Sequence, residues 1–122
     1  MRHLRLIAPL FALLAAAPVA LAQRAIDIHA DNAGELAKLC TANPREGRGD
    51  AALNFCSGFG QGLVDTVRHF QPQAFCFPSP VPTRRETMTQ FAHWVTADPS
   101  RAKLPADAGL YNFLRERYPC GK

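Results

Sequence analysis

The sequence predicts an all-α fold, a small four-helix domain stapled by two disulfides. Three observations point there. Apolar residues recur at helical spacing in four separate stretches, and strand-like alternation never lasts beyond a few residues. Four cysteines, an even number, lie beyond the apolar N-terminal segment, at Cys40, Cys56, Cys76 and Cys120. In a small exported chain that count reads as two bridges.

The chain has 122 residues, and its first 22 read as a secretory signal peptide. Arg2 and Arg5 precede an almost unbroken apolar run over Leu6–Ala17, and Ala20-Leu21-Ala22 supplies the small-x-small cleavage pattern. The run is shorter than the ~20 residues a membrane span requires. Gln23, not a cysteine, stands directly after Ala22, so no lipid anchor is expected there. Cleavage leaves residues 23–122 as one helical domain. Without Arg2 and Arg5, Lys plus Arg falls from 14 to 12 against 10 acidic residues, and the net charge drops from +4 to +2. The basicity is thus partly an export signal and does not point to nucleic acid.

Residues 23–30 read as an N-terminal arm. The first helix is expected from Asn32 to near Thr41, with Asn32 as cap, Glu35 three residues on, and Leu36, Leu39 and Cys40 on its apolar face. A polar loop over residues 42–49 follows. The second helix is expected over Ala51–Phe70 with Asp50 as cap. Cys56, Phe59, Leu63, Val67 and Phe70 follow helical spacing. Gly58, Gly60 and Gly62 lie inside it and predict either a closely packed neighbour or a kink. Pro72, Pro78, Pro80 and Pro82 mark a helix-free connector. Thr83 and Glu86 then form a capping box for a third helix, with Met88, Phe91, Ala92 and Val95 as its stripe. Asp98-Pro99 stops it. A fourth helix is expected from near Pro105 to near Tyr118, packing through Leu110, Phe113, Leu114 and the stem of Arg117.

Antiparallel hairpins would bring Cys40 to Cys56 and Cys76 to Cys120. Pairing Cys56 with Cys76 would have to bridge the second helix, about 20 Å of it. The crossed pairing, Cys40 with Cys76 and Cys56 with Cys120, stays open.

Catalytic and metal patterns are absent. His29, His69 and His93 show no HExxH spacing, there is no CxxC and no GxSxG, and export favours oxidised cysteines over a free thiol nucleophile. No enzyme activity, cofactor or metal is expected. His93-Trp94 reads either as a dimer contact or as a widening of the core. Arg84-Arg85 and Arg115-Glu116-Arg117 read as solvated faces. Arg101 and Lys103, in the connector Asp98–Leu104, read either as solvated or as a basic loop that enters a partner's cleft.

Leu39-Cys40, Phe55-Cys56-Ser57-Gly58-Phe59 with Gly62 and Asp65, Cys76-Phe77-Pro78, Asp98-Pro99, Leu104-Pro105-Ala106 and Tyr118-Pro119-Cys120 occur in order along the chain. This set resembles the Rap/Tai family of type VI secretion amidase immunity proteins. Departures are Phe59 for the usual Tyr, Tyr118 for the usual Phe, and a connector richer in proline. The resemblance implies a periplasmic, all-helical homodimer that binds a peptidoglycan amidase effector and occludes its active site. It places Ser100, Arg101 and Lys103 at the partner contact. A periplasmic interaction or chaperone-like module without a cognate toxin is the competing expectation.

Overall fold

A computed structural model describes residues 27–121. The expected signal peptide over residues 1–22 lies outside the described residues. Among the described residues four helices form in chain order: α1 (Ala33–Cys40), α2 (Gly49–Phe70), α3 (Arg84–Thr96) and α4 (Ala106–Arg117), with a 3-10 turn at Arg101–Lys103 between α3 and α4. Among the described residues there is no strand, only an isolated antiparallel bridge between Asn32 and Pro105. The predicted fold class holds.

The helix starts follow local chemistry, with two corrections. Asn32 Oδ1 accepts from the Glu35 backbone N–H at 2.9 Å, as a cap should. The Glu35 carboxylate returns to the Asp31 N–H at 2.8 Å instead of to Asn32, so the box is offset by one residue. At α3 the box is complete: Glu86 N–H donates to Thr83 Oγ1 and Thr83 N–H to Glu86 Oε2.

α2 begins at Gly49, two residues before the expected Ala51, and Asp50 is not its cap. Asp50 sits in the first turn, where its charge suits the helix dipole, and Arg48 at the cap position makes no side-chain capping bond. The preceding turn explains the shift. Asn43 Oδ1 accepts from Arg45 N–H and Asn43 Nδ2 donates to Glu46 Oε1, folding the loop back on the helix start. A Cβ at residue 49 would stand 1.7 Å from the Asn43 carbonyl oxygen. Only glycine fits there.

α1, the shortest helix, packs against the other three. Its Ala33, Leu36, Ala37 and Cys40 are buried at i, i+3, i+4 and i+7. Phe91, Val95, Leu110, Phe113 and Leu114 complete the innermost layer. Aromatic rings run through this core from the connector to the far end of α3. Phe75, Phe77, Tyr118, Phe113, Phe91 and Trp94 lie in sequence at centroid spacings of 5.4, 4.9, 6.2, 5.8 and 6.5 Å.

α2 crosses its three glycines unbroken. The expected close neighbour exists at one of them. A Cβ at Gly60 would lie 2.6 Å from Met88 Sδ on α3, whereas Gly58 and Gly62 face open space. Phe70 does not join the core, contrary to its helical spacing. It is 74% exposed. The end of α2 meets α4 through Val67 and Gln71, whose side chain accepts from the Tyr111 hydroxyl at 2.8 Å, and Phe70 points away from that face.

Both disulfides are the local ones. Cys40–Cys56 joins α1 to the early turns of α2 with a Cα–Cα distance of 5.2 Å. Cys76–Cys120, at 4.7 Å, joins the connector ahead of α3 to the chain after α4. The Cys76 N–H also donates to the Tyr118 carbonyl at 2.8 Å. The fold places each of these pairs within bonding reach, and the crossed pairing is excluded.

Candidate partner-binding surface

The stretch between α3 and α4 is built to hold one shape. The Ala97 N–H closes α3 onto the His93 carbonyl, and proline at 99 prevents continuation. Asp98 Oδ1 accepts from the Ser100 N–H at 2.9 Å and from Ser100 Oγ at 2.8 Å. Those two bonds, the side-chain one first, hold the Asp98 carboxyl below the usual carboxylate range, and the charge of Arg101 adds to them. The 3-10 turn follows. At its end, the Leu104 carbonyl accepts from Ala33 N–H at 2.8 Å, and Ala106 N–H donates to the Asp31 carbonyl at 3.2 Å. The loop is therefore anchored to the start of α1 as well as to its own helices.

Arg101 is the clamp. Its guanidinium carbon lies 4.2 Å from the centre of the Trp94 ring. Nη1 donates to the Trp94 carbonyl at 2.8 Å, one of the carbonyls that the end of α3 leaves without a helical partner. Long ion pairs run to Asp98 at 3.9 Å and Glu116 at 3.8 Å. Glu116 in turn accepts from Trp94 Nε1 at 3.0 Å. The loop, α3 and α4 thus meet at one indole. Trp94 itself packs on Phe91 and Phe113, which fits the core-widening reading of His93-Trp94.

The sequence-predicted contact residues sit together but differ in freedom. Ser100 and Lys103 are exposed, and Arg101 is half-buried. None of the ion pairs among the described residues involves Lys103. Beside the loop, a groove of about 460 Å³ runs between α1 and α3, lined by Ala37, Lys38, Ala92, His93, Pro99 and Ala102 among others.

Glu116 is the member of this surface that sequence reading missed. Within Arg115-Glu116-Arg117 it reads as one more solvated charge, and only the fold sets it over Trp94. Its neighbours also have partners: Arg117 Nε donates to Gln90 at 3.0 Å, and Arg115 lies 5.6 Å over the Tyr111 ring. The histidines lie apart. His29 is flanked by Asp27 and Asp31, His69 lies edge-on to Phe70, and His93 borders the groove. Among the described residues no group of three His, Cys, Asp or Glu side chains could hold a metal ion.

A family profile described as Rap1a immunity proteins matches residues 32–120. The chain belongs to the Rap1a immunity protein family. No curated protein and no solved structure shows a significant match. The Rap1a match opens on the α1 cap, Asn32, and closes on the last bridged cysteine, Cys120, so it spans the whole crosslinked body. Membership implies a protein partner, the effector that an immunity protein counters. Among the described residues no helix is long and apolar enough to cross a membrane.

Proposed function

We propose that this Rap1a family member is a periplasmic immunity protein, exported by a cleaved segment over residues 1–22. It neutralises a peptidoglycan amidase effector of type VI secretion by filling the amidase active site. The α3–α4 loop makes the contact through Ser100, Arg101 and Lys103. The observation that best supports this is the clamp at Arg101. A loop already fixed by Trp94, Asp98, Glu116 and the start of α1 loses little conformational entropy on binding. Lys103 then presents an unpaired charge from a rigid base. Inhibition by occlusion needs no catalytic group, only shape, charge and stiffness. The family resemblance further supports a homodimer as the working unit, which sedimentation velocity on the oxidised protein tests.

The functional experiment uses cells that produce the type VI amidase of the same bacterium in their periplasm. Co-production of this chain prevents lysis. Lys103→Glu, an exposed substitution, leaves the protein folded and abolishes protection. Lysis at the same rate with and without the wild-type chain would remove the proposal.

A further inference from the structure

A second recessed surface lies at the other end of α3, away from the loop. It is a cleft of about 230 Å³ between α2, the proline-rich connector and α3. Gly60, Val64 and Arg68 enter it from one face of α2, at i, i+4 and i+8. Leu110 and Leu114 of α4 close its base, and Phe77 and Val81 of the connector wall it. Val81 is 66% exposed, which is unusual for a large aliphatic residue beside an apolar recess. The floor is Met88, which packs against Gly60 where a side chain would otherwise stand. An unbranched thioether can shift to accept an incoming group.

The rim is cationic. Arg68 and Arg84 line it, and neither takes part in an ion pair among the described residues. Asp65 is the one acid in the lining, and its carboxylate accepts from Gln61 at 2.6 Å. Arg84 and its neighbour Arg85 occupy the first turn of α3, where positive charge opposes the helix dipole. Arg68, in the last turn of α2, suits that helix's dipole, but Arg84 costs α3 stability, and an anionic ligand gives it a purpose. An apolar recess for one aliphatic side chain, bordered by two guanidiniums without ion-pair partners against the single acid Asp65, keeps a net positive rim and suits a carboxylate next to a bulky apolar residue.

We propose that this cleft docks an acidic, apolar segment of a protein partner: one leucine-sized side chain enters against Met88, and a flanking carboxylate meets Arg68 and Arg84. The site is separate from the α3–α4 loop and holds whether or not that loop binds an amidase.

The test is methyl and arginine side-chain NMR on the oxidised protein, titrated with three blocked tripeptides. Glu-Leu-Glu shifts the methyls of Val64, Val81 and Met88 and the Nε–H of Arg84. Lys-Leu-Lys does not, and Glu-Gly-Glu binds about tenfold more weakly because nothing fills the recess. Arg84→Gln weakens Glu-Leu-Glu about fivefold, and the Arg68→Glu/Arg84→Glu double variant reverses the preference toward Lys-Leu-Lys. Both arginines are exposed, and thermal melts confirm that the variants stay folded. Equal response to the three peptides, shifts elsewhere on the molecule, or unchanged binding by the Arg variants each overturns the proposal. So does movement of the cleft signals with protein concentration alone, which would make a second copy the occupant. Saturation by a wall stem peptide at lower concentration than by Glu-Leu-Glu overturns it too.

Discussion

Replacing Arg101 by alanine removes the side-chain clamp that ties the α3–α4 loop to Trp94 of α3 and Glu116 of α4. The hydrogen bond to the Trp94 carbonyl, at 2.8 Å from a charged donor, contributes about 1–1.5 kcal/mol. The stack on Trp94, half-buried with the guanidinium 4.2 Å from the ring centre, adds about 0.5–1 kcal/mol. The two ion pairs are long, and Asp98 and Glu116 are 48% and 60% exposed, so together they add no more than about 0.5 kcal/mol. The sum is about 1.5–3 kcal/mol, which for a domain of this size lowers Tm by about 6–24 °C. Arg101→Lys keeps the charge but loses the planar stack and the fork, and recovers less than half of that. The chain has one tryptophan, and it is Trp94. Its emission therefore reports the clamp directly: Arg101→Ala moves it to the red and raises acrylamide quenching below Tm. Circular dichroism follows the melt. A Tm within 3 °C of wild type, or a lysine variant indistinguishable from arginine, would show that the loop is held by its backbone anchors alone.

Other perturbations separate further parts of the structure. Gly109→Ala places a Cβ 2.6 Å from that of Ala33, which cannot move aside, and costs about 1–3 kcal/mol. Gly58→Ala, facing open space on the same kind of helix, instead gains about 0.5–1 kcal/mol, so urea melts of the pair shift in opposite directions. Removing Cys76–Cys120, whose half-cystines are 44 residues apart, costs about 4 kcal/mol on the loop-entropy argument. Removing Cys40–Cys56, 16 apart, costs about 3 kcal/mol plus the packing of two buried sulfurs, so the Cys→Ala pairs melt within a few degrees of each other despite unequal loops. Glu35, Glu86 and Asp98 are all held below the ordinary carboxylate range, chiefly by hydrogen bonds from Asp31 N–H, the Thr83 side chain and the Ser100 side chain respectively. The folded state thus binds fewer protons than the unfolded one. Their stabilisation is complete above an unfolded pKa of about 4 and is lost as pH falls through the lower folded values. Thermal melts therefore hold steady from neutral pH to about 5 and decline below about 4, and Asp98→Asn makes the decline shallower.

Local signals in the sequence were read correctly because their chemistry is local. Thr83 and Glu86 cap α3 through atoms three residues apart, and Asp98-Pro99 ends it by steric exclusion. The disulfide pairing expected from hairpin geometry is the one found, although the end of α3 meets the end of α4 rather than its start. Where reading failed, the deciding contact came from elsewhere in the chain. Asp50 has the right chemistry for a cap, but the turn at Asn43 reaches Gly49 first and starts the helix there. Phe70 keeps the helical period of α2, yet periodicity does not reveal that α4 meets the last turn of α2 at Val67 and Gln71 and leaves Phe70 outside. Gly60 and Gly58 look alike in sequence, and only the position of Met88 distinguishes them. The loop proposed to meet the partner is marked in the sequence by its charges and by family resemblance, but its stiffness is not legible there. That depends on Trp94 seven residues before Arg101 and on Glu116 fifteen residues after it, which only the packing of α3 and α4 brings together.

The most direct measurement is a titration of the oxidised protein into the type VI amidase of the same bacterium, with release of stem peptides from purified peptidoglycan as the readout. Inhibition should be complete at a fixed stoichiometry, and Lys103→Glu should weaken it at least about tenfold without lowering Tm. Full amidase turnover in the presence of excess wild-type protein would contradict occlusion of the active site by the α3–α4 loop.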